Sequence, residues 1–178
     1  MCIKGKMTRK PFPKKATQTK EILECIVSDV CGAMPTESLG RKKYFVTFID
    51  IYSKYTEIHF LRNKNEVAEK AINYIEKLKT QIGRKPKVFR SDRGGEYMCE
   101  KFQSYLRNEG IRFQCTVGYA LEQNGIAERM NRTLVEAARS MIADSGLSKS
   151  FWAEAIDTAN YVFNRINGNK ENSPYEIM

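Results

Sequence analysis

Two runs of β-branched and aromatic residues lie almost end to end, Tyr44-Phe45-Val46-Thr47-Phe48-Ile49 and Tyr55-Thr56-Glu57-Ile58-His59-Phe60-Leu61, with only Asp50 to Lys54 between them. So short a connection points to an antiparallel hairpin. Upstream, Glu24-Cys25-Ile26-Val27-Ser28-Asp29-Val30 reads as a further strand that ends near Cys31-Gly32 and Pro35. Three strands in succession predict a meander.

Beyond the meander the period changes. Asn63 followed by Glu66 has the form of a capping box, and Val67, Ala71, Tyr74, Ile75, Leu78 and Ile82 recur at helical spacing until Gly83 and Pro86. A short strand, Lys87 to Arg90, runs into Asp92 and the Gly94-Gly95 turn. Phe102, Tyr105 and Leu106 mark a short helix stopped at Gly110, and Ile111 to Cys115 forms a fifth strand. Thr116 to Asn124 has no period and is expected to be a mobile loop. From Ile126 the set Ile126, Met130, Leu134, Ala138, Met141 and Ile142 defines a helix face with Glu128 in its first turn, and Phe151 to Phe163 defines a last helix. The order β-β-β-α-β-α-β-α-α predicts an α/β fold, a five-stranded mixed sheet flanked by helices.

A chain of 178 residues is one domain by length, and its composition is that of a soluble globular protein. No apolar run approaches the roughly 18 residues a membrane span needs. Five widely spaced cysteines, Cys2, Cys25, Cys31, Cys99 and Cys115, are an odd number, best read as reduced thiols. The net charge of +9 is uneven: the first twenty residues hold seven bases (Lys4, Lys6, Arg9, Lys10, Lys14, Lys15 and Lys20) and no acid. Such an arm is either a solvated linker or a tail that grips phosphates.

Three acids stand out. Asp29 lies near the end of the first strand, Asp92 follows the fourth, and Glu128 comes after a gap of thirty-five residues. If strands one and four are neighbours, the two aspartates meet. Carboxylates without His or Cys suit Mg²⁺ or Mn²⁺, and a pair of such ions serves in-line displacement at phosphorus. Each acid also has a plainer reading, the aspartates as turn formers and Glu128 as the partner of Arg132 on its helix. Asp50, Glu57, Glu96, Glu100 and Glu122 are rivals for a ligand role. His59, the single histidine, sits mid-strand beside no nucleophile and reads as structural. Arg129, Arg132 and Arg139 share a helix face with Glu128, either a solvated basic face or a stripe for a DNA backbone.

Ser28-Asp29-Val30-Cys31-Gly32, Tyr44 to Asp50, Arg90-Ser91-Asp92 through Gly94-Gly95-Glu96-Tyr97, Gln123-Asn124-Gly125-Ile126-Ala127-Glu128-Arg129-Met130-Asn131-Arg132-Thr133 and Phe151-Trp152-Ala153-Glu154-Ala155 together resemble the integrase core of copia-type long-terminal-repeat retrotransposon polyproteins. The resemblance covers almost the whole chain. It implies a ribonuclease-H-like fold and a catalytic, metal-binding triad of Asp29, Asp92 and Glu128 that uses Mg²⁺ or Mn²⁺, two ions together. The implied partners are double-stranded DNA of element ends and target, and further copies of the chain in a homo-oligomer; the implied location is the nucleus. Charge and resemblance together give the expected DNA-binding residues: Lys4, Lys6, Arg9, Lys10, Lys14, Lys15, Arg93, Asn124, Arg129 and Arg132.

Residues 1–20 look like the tail of the family's amino-terminal zinc module and its linker, with Cys2 as the last ligand; the other ligands are missing, so no zinc site is expected. The core is expected over 21–167 and a truncated carboxy-terminal tail over 168–178, where Ser173-Pro174-Tyr175-Glu176 resembles the family's end-of-core motif. One departure is Tyr119-Ala120-Leu121-Glu122-Gln123-Asn124-Gly125, where the family usually has Tyr-Thr-Pro-Gln-Gln-Asn-Gly. Loss of the proline loosens the segment, and Glu122 adds negative charge where DNA should approach. Polynucleotidyl transfer is therefore the leading expectation. A catalytically silent fragment that binds DNA or serves assembly, and a nuclease acting on RNA·DNA hybrids, are the alternatives.

Overall fold

The computed structural model describes residues 19–92, 94–115, 121–166 and 171–178, with the backbone alone described for 121–124. Five strands, β1 (Cys25–Gly32), β2 (Tyr44–Asp50), β3 (Thr56–Leu61), β4 (Val88–Ser91) and β5 (Arg112–Cys115), form one sheet in the order β3-β2-β1-β4-β5. The first three make the expected antiparallel meander, while β4 lies parallel to β1 and β5 parallel to β4. Each parallel step needs a crossover. Helix α1 (Val67–Gln81) supplies the first; α2 (Gly95–Met98) and α3 (Glu100–Asn108) supply the second. Helices α4 (Leu121–Ser145), α5 (Trp152–Arg165) and α6 (Pro174–Ile177) complete the chain.

The sheet is covered on both faces, so its interior strand β2 is buried from Phe45 to Asp50 instead of alternating. Its side chains still alternate in direction. Val46 and Phe48 join Ile26, Tyr74, Phe89, Phe102 and Leu106 in the core under α1 and α3; Phe45 joins Leu134, Trp152 and Ile156 under α4 and α5. Phe48 and Tyr74 stack with ring centroids 4.8 Å apart. The same alternation acts on β1, where Ile26 faces α1 and α3 while Val27 packs with Ala127 of α4. Asp29, two residues beyond Val27, therefore faces α4. That direction decides which helix can bring a second acid to it.

The predicted capping pair starts the short 3-10 turn Lys64–Glu66 that leads into α1: Glu66 Oε1 accepts the N–H of Asn63 at 2.8 Å and of Arg62 at 2.9 Å. Helix α4 departs from expectation. It starts at Leu121, so the expected loop over 116–124 is helical from that residue on, and 116–120 lie outside the described residues. Glu122 to Gly125 carry no apolar mark to reveal the extra turn, and Glu128 is the eighth helical residue instead of lying in the first turn. The short helices α2 and α6 were likewise invisible to a periodicity that needs two turns. Helix α6 is held by Ser173, whose N–H and Oγ both donate to Glu176 Oε2 at 2.7 and 2.8 Å. Pro174 opens it, and Met178 packs against the main core.

Where β1 ends, Gly32 has φ +121°, and a Cβ there would meet the Lys43 carbonyl oxygen at 2.7 Å and Tyr44 Cδ1 at 2.9 Å. Only glycine fits both the left-handed backbone and the space. Gly32→Ala is expected to lower unfolding stability by about 2 kcal/mol or more in urea titration. An unchanged midpoint would mean that β1 does not end this way.

Candidate active site

In the β1–β4 pairing, Cys25 stands opposite Val88, Ile26 opposite Phe89 and Val27 opposite Arg90. Carried on two residues, that register puts Asp29 level with Asp92, the residue just after β4. Strands one and four are thus the neighbours that the aspartates require. Arg90 itself is buried and spoken for, since its Nε and Nη2 donate to Gln114 Oε1 of β5 at 3.1 and 2.8 Å.

Glu128 comes from α4. With Asp29, Cys31, Asn131, Arg132, Glu136 and Arg139 it lines a groove between the end of β1 and one face of α4. Asn131 Nδ2 donates to Asp29 Oδ2 at 2.8 Å, and Thr47 Oγ1 donates to Asn131 Oδ1 at 3.0 Å. The Asp29 carboxyl is pushed up to about 6, first by burial, then by the negative charge of Asp92; the Asn131 hydrogen bond opposes the shift and the charge of Glu128 adds to it. All three acids therefore share one electrostatic environment.

They do not close on a single point. Among the described residues no three His, Cys, Asp or Glu side chains lie close enough to hold one ion. Asp92 is exposed, and its Oδ1 accepts the Gly94 N–H at 3.0 Å, the local turn bond that its sequence position also allows. Glu128 is exposed, and among the described residues neither it nor Arg132 forms an ion pair, so the i,i+4 bridge is not what holds it. The donor chemistry still suits a hard cation. The nearby oxygens are carboxylate, and the one soft group in the groove, Cys31, is held as a thiol by burial and by Asp29. Mg²⁺ or Mn²⁺ fits this set, and Zn²⁺ does not.

The rival acids have structural duties. Asp50 is fully buried and accepts the N–H groups of Leu23 and Ser53 and the Ser53 hydroxyl. Glu57 binds His59 at 3.0 Å and Lys77 at 2.7 Å, which also accounts for the histidine. Glu100 pairs with Arg107, and Glu96 is taken up in the short helix α2. The side chains of Glu122 and Asn124, together with Arg93, Lys4, Lys6, Arg9, Lys10, Lys14, Lys15 and Cys2, lie outside the described residues. Cys25, Cys31, Cys99 and Cys115 are free thiols, as expected.

The arginines of α4 do not share one face. Arg132 and Arg139 line the Asp29 groove, whereas Arg129 lines a second groove with Lys54, Thr133, Phe163 and Pro174. Intervals of three and seven residues tolerate a drift around the helix that separates Arg129 from the others.

Sequence reasoning missed Asn131 and Thr47, and also the bond between Ser28 Oγ and Tyr97 OH at 2.7 Å, both residues fully buried. That bond fastens α2, just after Asp92, to the strand that carries Asp29. A signal existed for the first two. Asn131 interrupts the apolar stripe of α4 one turn after Glu128, and Thr47 interrupts the apolar run of β2.

Residues 21–120 match the integrase core domain family, more than half of the chain, and the chain belongs to that family. It is a core of the retrotransposon type. It is 44% identical over 164 residues to the retrovirus-related Pol polyprotein from transposon TNT 1-94 of Nicotiana tabacum, an alignment covering 92% of this chain and 12% of that polyprotein. It is 29% identical over 165 residues to the polyprotein from transposon RE1 of Arabidopsis thaliana, covering 93% of this chain and 11% of that one. The chain thus spans about an eighth of the polyproteins it matches.

Among solved structures it is similar to the HTLV-2 integrase catalytic core domain in complex with magnesium. The trimeric form gives a TM-score of 0.66 at 15% identity, covering 90% of this chain and 99% of that chain. The dimeric form gives 0.64, also at 15% identity, covering 90% and 98%. The fold is ribonuclease-H-like. No helix of the described residues is long and apolar enough to cross a membrane.

Proposed function

We propose that this chain is the catalytic part of a DNA integrase, a polynucleotidyl transferase that joins the 3′-hydroxyl ends of element DNA to target DNA. The observation that carries this reading is the state of Asp29, a half-buried carboxyl within β1 and level with the end of β4, whose proton affinity is raised by burial and by the charges of Asp92 and Glu128. A protein gains nothing in stability from such an arrangement. A cation bound there reverses the cost.

Asp29, Asp92 and Glu128 are the residues that would hold Mg²⁺ or Mn²⁺. Two such ions supply activation of an attacking oxygen and stabilisation of the leaving one. The rest falls to the chain itself. Asn131 steadies Asp29, while Arg132 and Arg139 on the groove wall offer guanidinium forks to phosphate oxygens, Arg129 doing so from its own groove. The magnesium in the HTLV-2 core and its dimeric and trimeric forms support divalent-metal use and self-association here. Joining to chromosomal target DNA would require the protein to act in the nucleus.

Incubation of the chain with a duplex bearing an element end, a plasmid target and Mg²⁺ or Mn²⁺ tests the proposal, with joined product as the expected outcome. Cleavage of RNA·DNA hybrids without joining would reassign the chemistry. The exposed Asp92, with its carboxylate bonded to Gly94, favours one other reading, a silent DNA-binding or assembly module. In that case DNA affinity is indifferent to metal and no joining occurs.

The basic arm gives a separate expectation. Deleting residues 1–20, with their seven positive charges, weakens duplex affinity and flattens its salt dependence by up to about six units of log–log slope, at about 0.9 per phosphate contact. An unchanged slope would show that the arm takes no part.

A further inference from the structure

We infer that Thr47 is a positioning residue for the metal site, acting through Asn131: the two form a directional hydrogen-bond relay that presents the Asp29 carboxylate to an incoming divalent cation. The inference rests on the metal-site reading above and extends it to two residues outside the acidic triad.

The relay is built from three elements. Thr47 lies at the centre of β2, Asp29 opposite it on β1, and Asn131 on the α4 face that covers both. Thr47 is wholly buried and Asn131 is 4% exposed, so neither can exchange these bonds for water. An ionised carboxylate only accepts hydrogen bonds. Asn131 must therefore turn its NH₂ toward Asp29, which leaves its carbonyl oxygen facing Thr47, and the Thr47 hydroxyl must donate.

The alternative amide orientation would set a carbonyl oxygen against a carboxylate oxygen, and in a buried site that is costly. The carboxylate thus sets the amide orientation, and Thr47 holds the amide in it by donating to the carbonyl oxygen, without touching the carboxylate itself. Among the described residues Asn131 is the only side chain hydrogen-bonded to the Asp29 carboxylate, at Oδ2, while Thr47 Oγ1 also lies 3.4 Å from the Asp29 backbone carbonyl oxygen. The relay fixes one oxygen and so the plane in which the other is offered. It also ties α4 to β1 three residues past Glu128, so the same bonds set the distance between two of the three acids.

The amide of a structural core asparagine would serve stability and nothing else. A positioning amide changes cation affinity at constant fold. The test is Mn²⁺ titration followed by electron paramagnetic resonance on the full chain without DNA, so that activity does not enter. Asn131→Leu is expected to weaken Mn²⁺ about 10- to 100-fold, the usual effect of removing a group that orients a ligand. Thr47→Val, nearly the same shape without the hydroxyl, is expected to weaken it several-fold, and Thr47→Ser to restore it.

Thr47→Val remains a usable probe if Asn131→Leu fails to fold, because it keeps the side-chain shape and removes only the hydroxyl that donates to Asn131 Oδ1. Wild-type affinity in folded Thr47→Val overturns the relay. Equal loss in Thr47→Ser and Thr47→Val overturns it too, since packing and not the hydroxyl would then matter. Wild-type Mn²⁺ affinity in Asp29→Asn has a different meaning, for it removes the metal site itself and the relay with it.

Discussion

Asp92→Asn folds normally and joins DNA ends about a thousandfold more slowly, or not at all. The substitution is nearly isosteric, and its Oδ1 can still accept the Gly94 N–H that Asp92 accepts at 3.0 Å, so the turn after β4 survives. What disappears is one negative charge at the position level with Asp29. Loss of an anionic ligand from a site where metal stabilises charge in the transition state is among the largest single-residue effects in catalysis, about 10³ or more in rate. Strand transfer measured with Mg²⁺ at equal protein concentration gives the comparison. A folded Asp92→Asn chain that works at near wild-type rate would remove Asp92 from the chemistry.

The second large effect concerns stability. With metal chelated, Asp29→Asn is more stable than the parent chain at neutral pH, by up to about 3 kcal/mol. The sign follows from the direction of the shift. The folded Asp29 carboxyl, pushed up to about 6 from its ordinary 3.8, binds a proton more tightly than the unfolded one. Its ionised form therefore costs stability, fully above pH 6, and the cost is relieved as pH falls toward 4.

The gap between Asp29→Asn and parent should close over that window. Millimolar Mg²⁺ or Mn²⁺ at pH 7.5 should raise the melting temperature of the parent and leave the variant unmoved, because ligand bound to the folded state alone stabilises it. Urea melts across pH in chelator and in metal give both results. A variant less stable than the parent at every pH would show that Asp29 is an ordinary structural acid.

Much of this was legible beforehand, because most elements carry their own local pattern. The β-branched runs of β2 and β3, the caps and stops of α1 and the acid after β4 each have a local physical signature. Pairing of β1 with β4 was not legible; parallel partners are chosen by the packing of crossovers, which no local pattern encodes. The first turn of α4 was hidden because Glu122 to Gly125 carry no apolar period.

The site divides in the same way. Asp29 and Asp92 announce themselves at strand ends, but Asn131 earns its place only where α4 crosses β1, and Thr47 only through Asn131. Arg129 illustrates the reverse error. On a helical wheel it groups with Arg132, yet the packing of α5 against α4, with α6 on α5, gives it a separate groove.

Everything in the proposed activity depends on three acids sharing cations. Crystals of the chain soaked in Mn²⁺, with anomalous diffraction recorded near the manganese edge, locate those ions without reference to activity. The expected result is a strong peak in contact with carboxylate oxygens of Asp29 and Asp92, with Glu128 turned toward the same ions. Manganese bound only at other acids, or absent from these three at saturating concentration, would contradict the account.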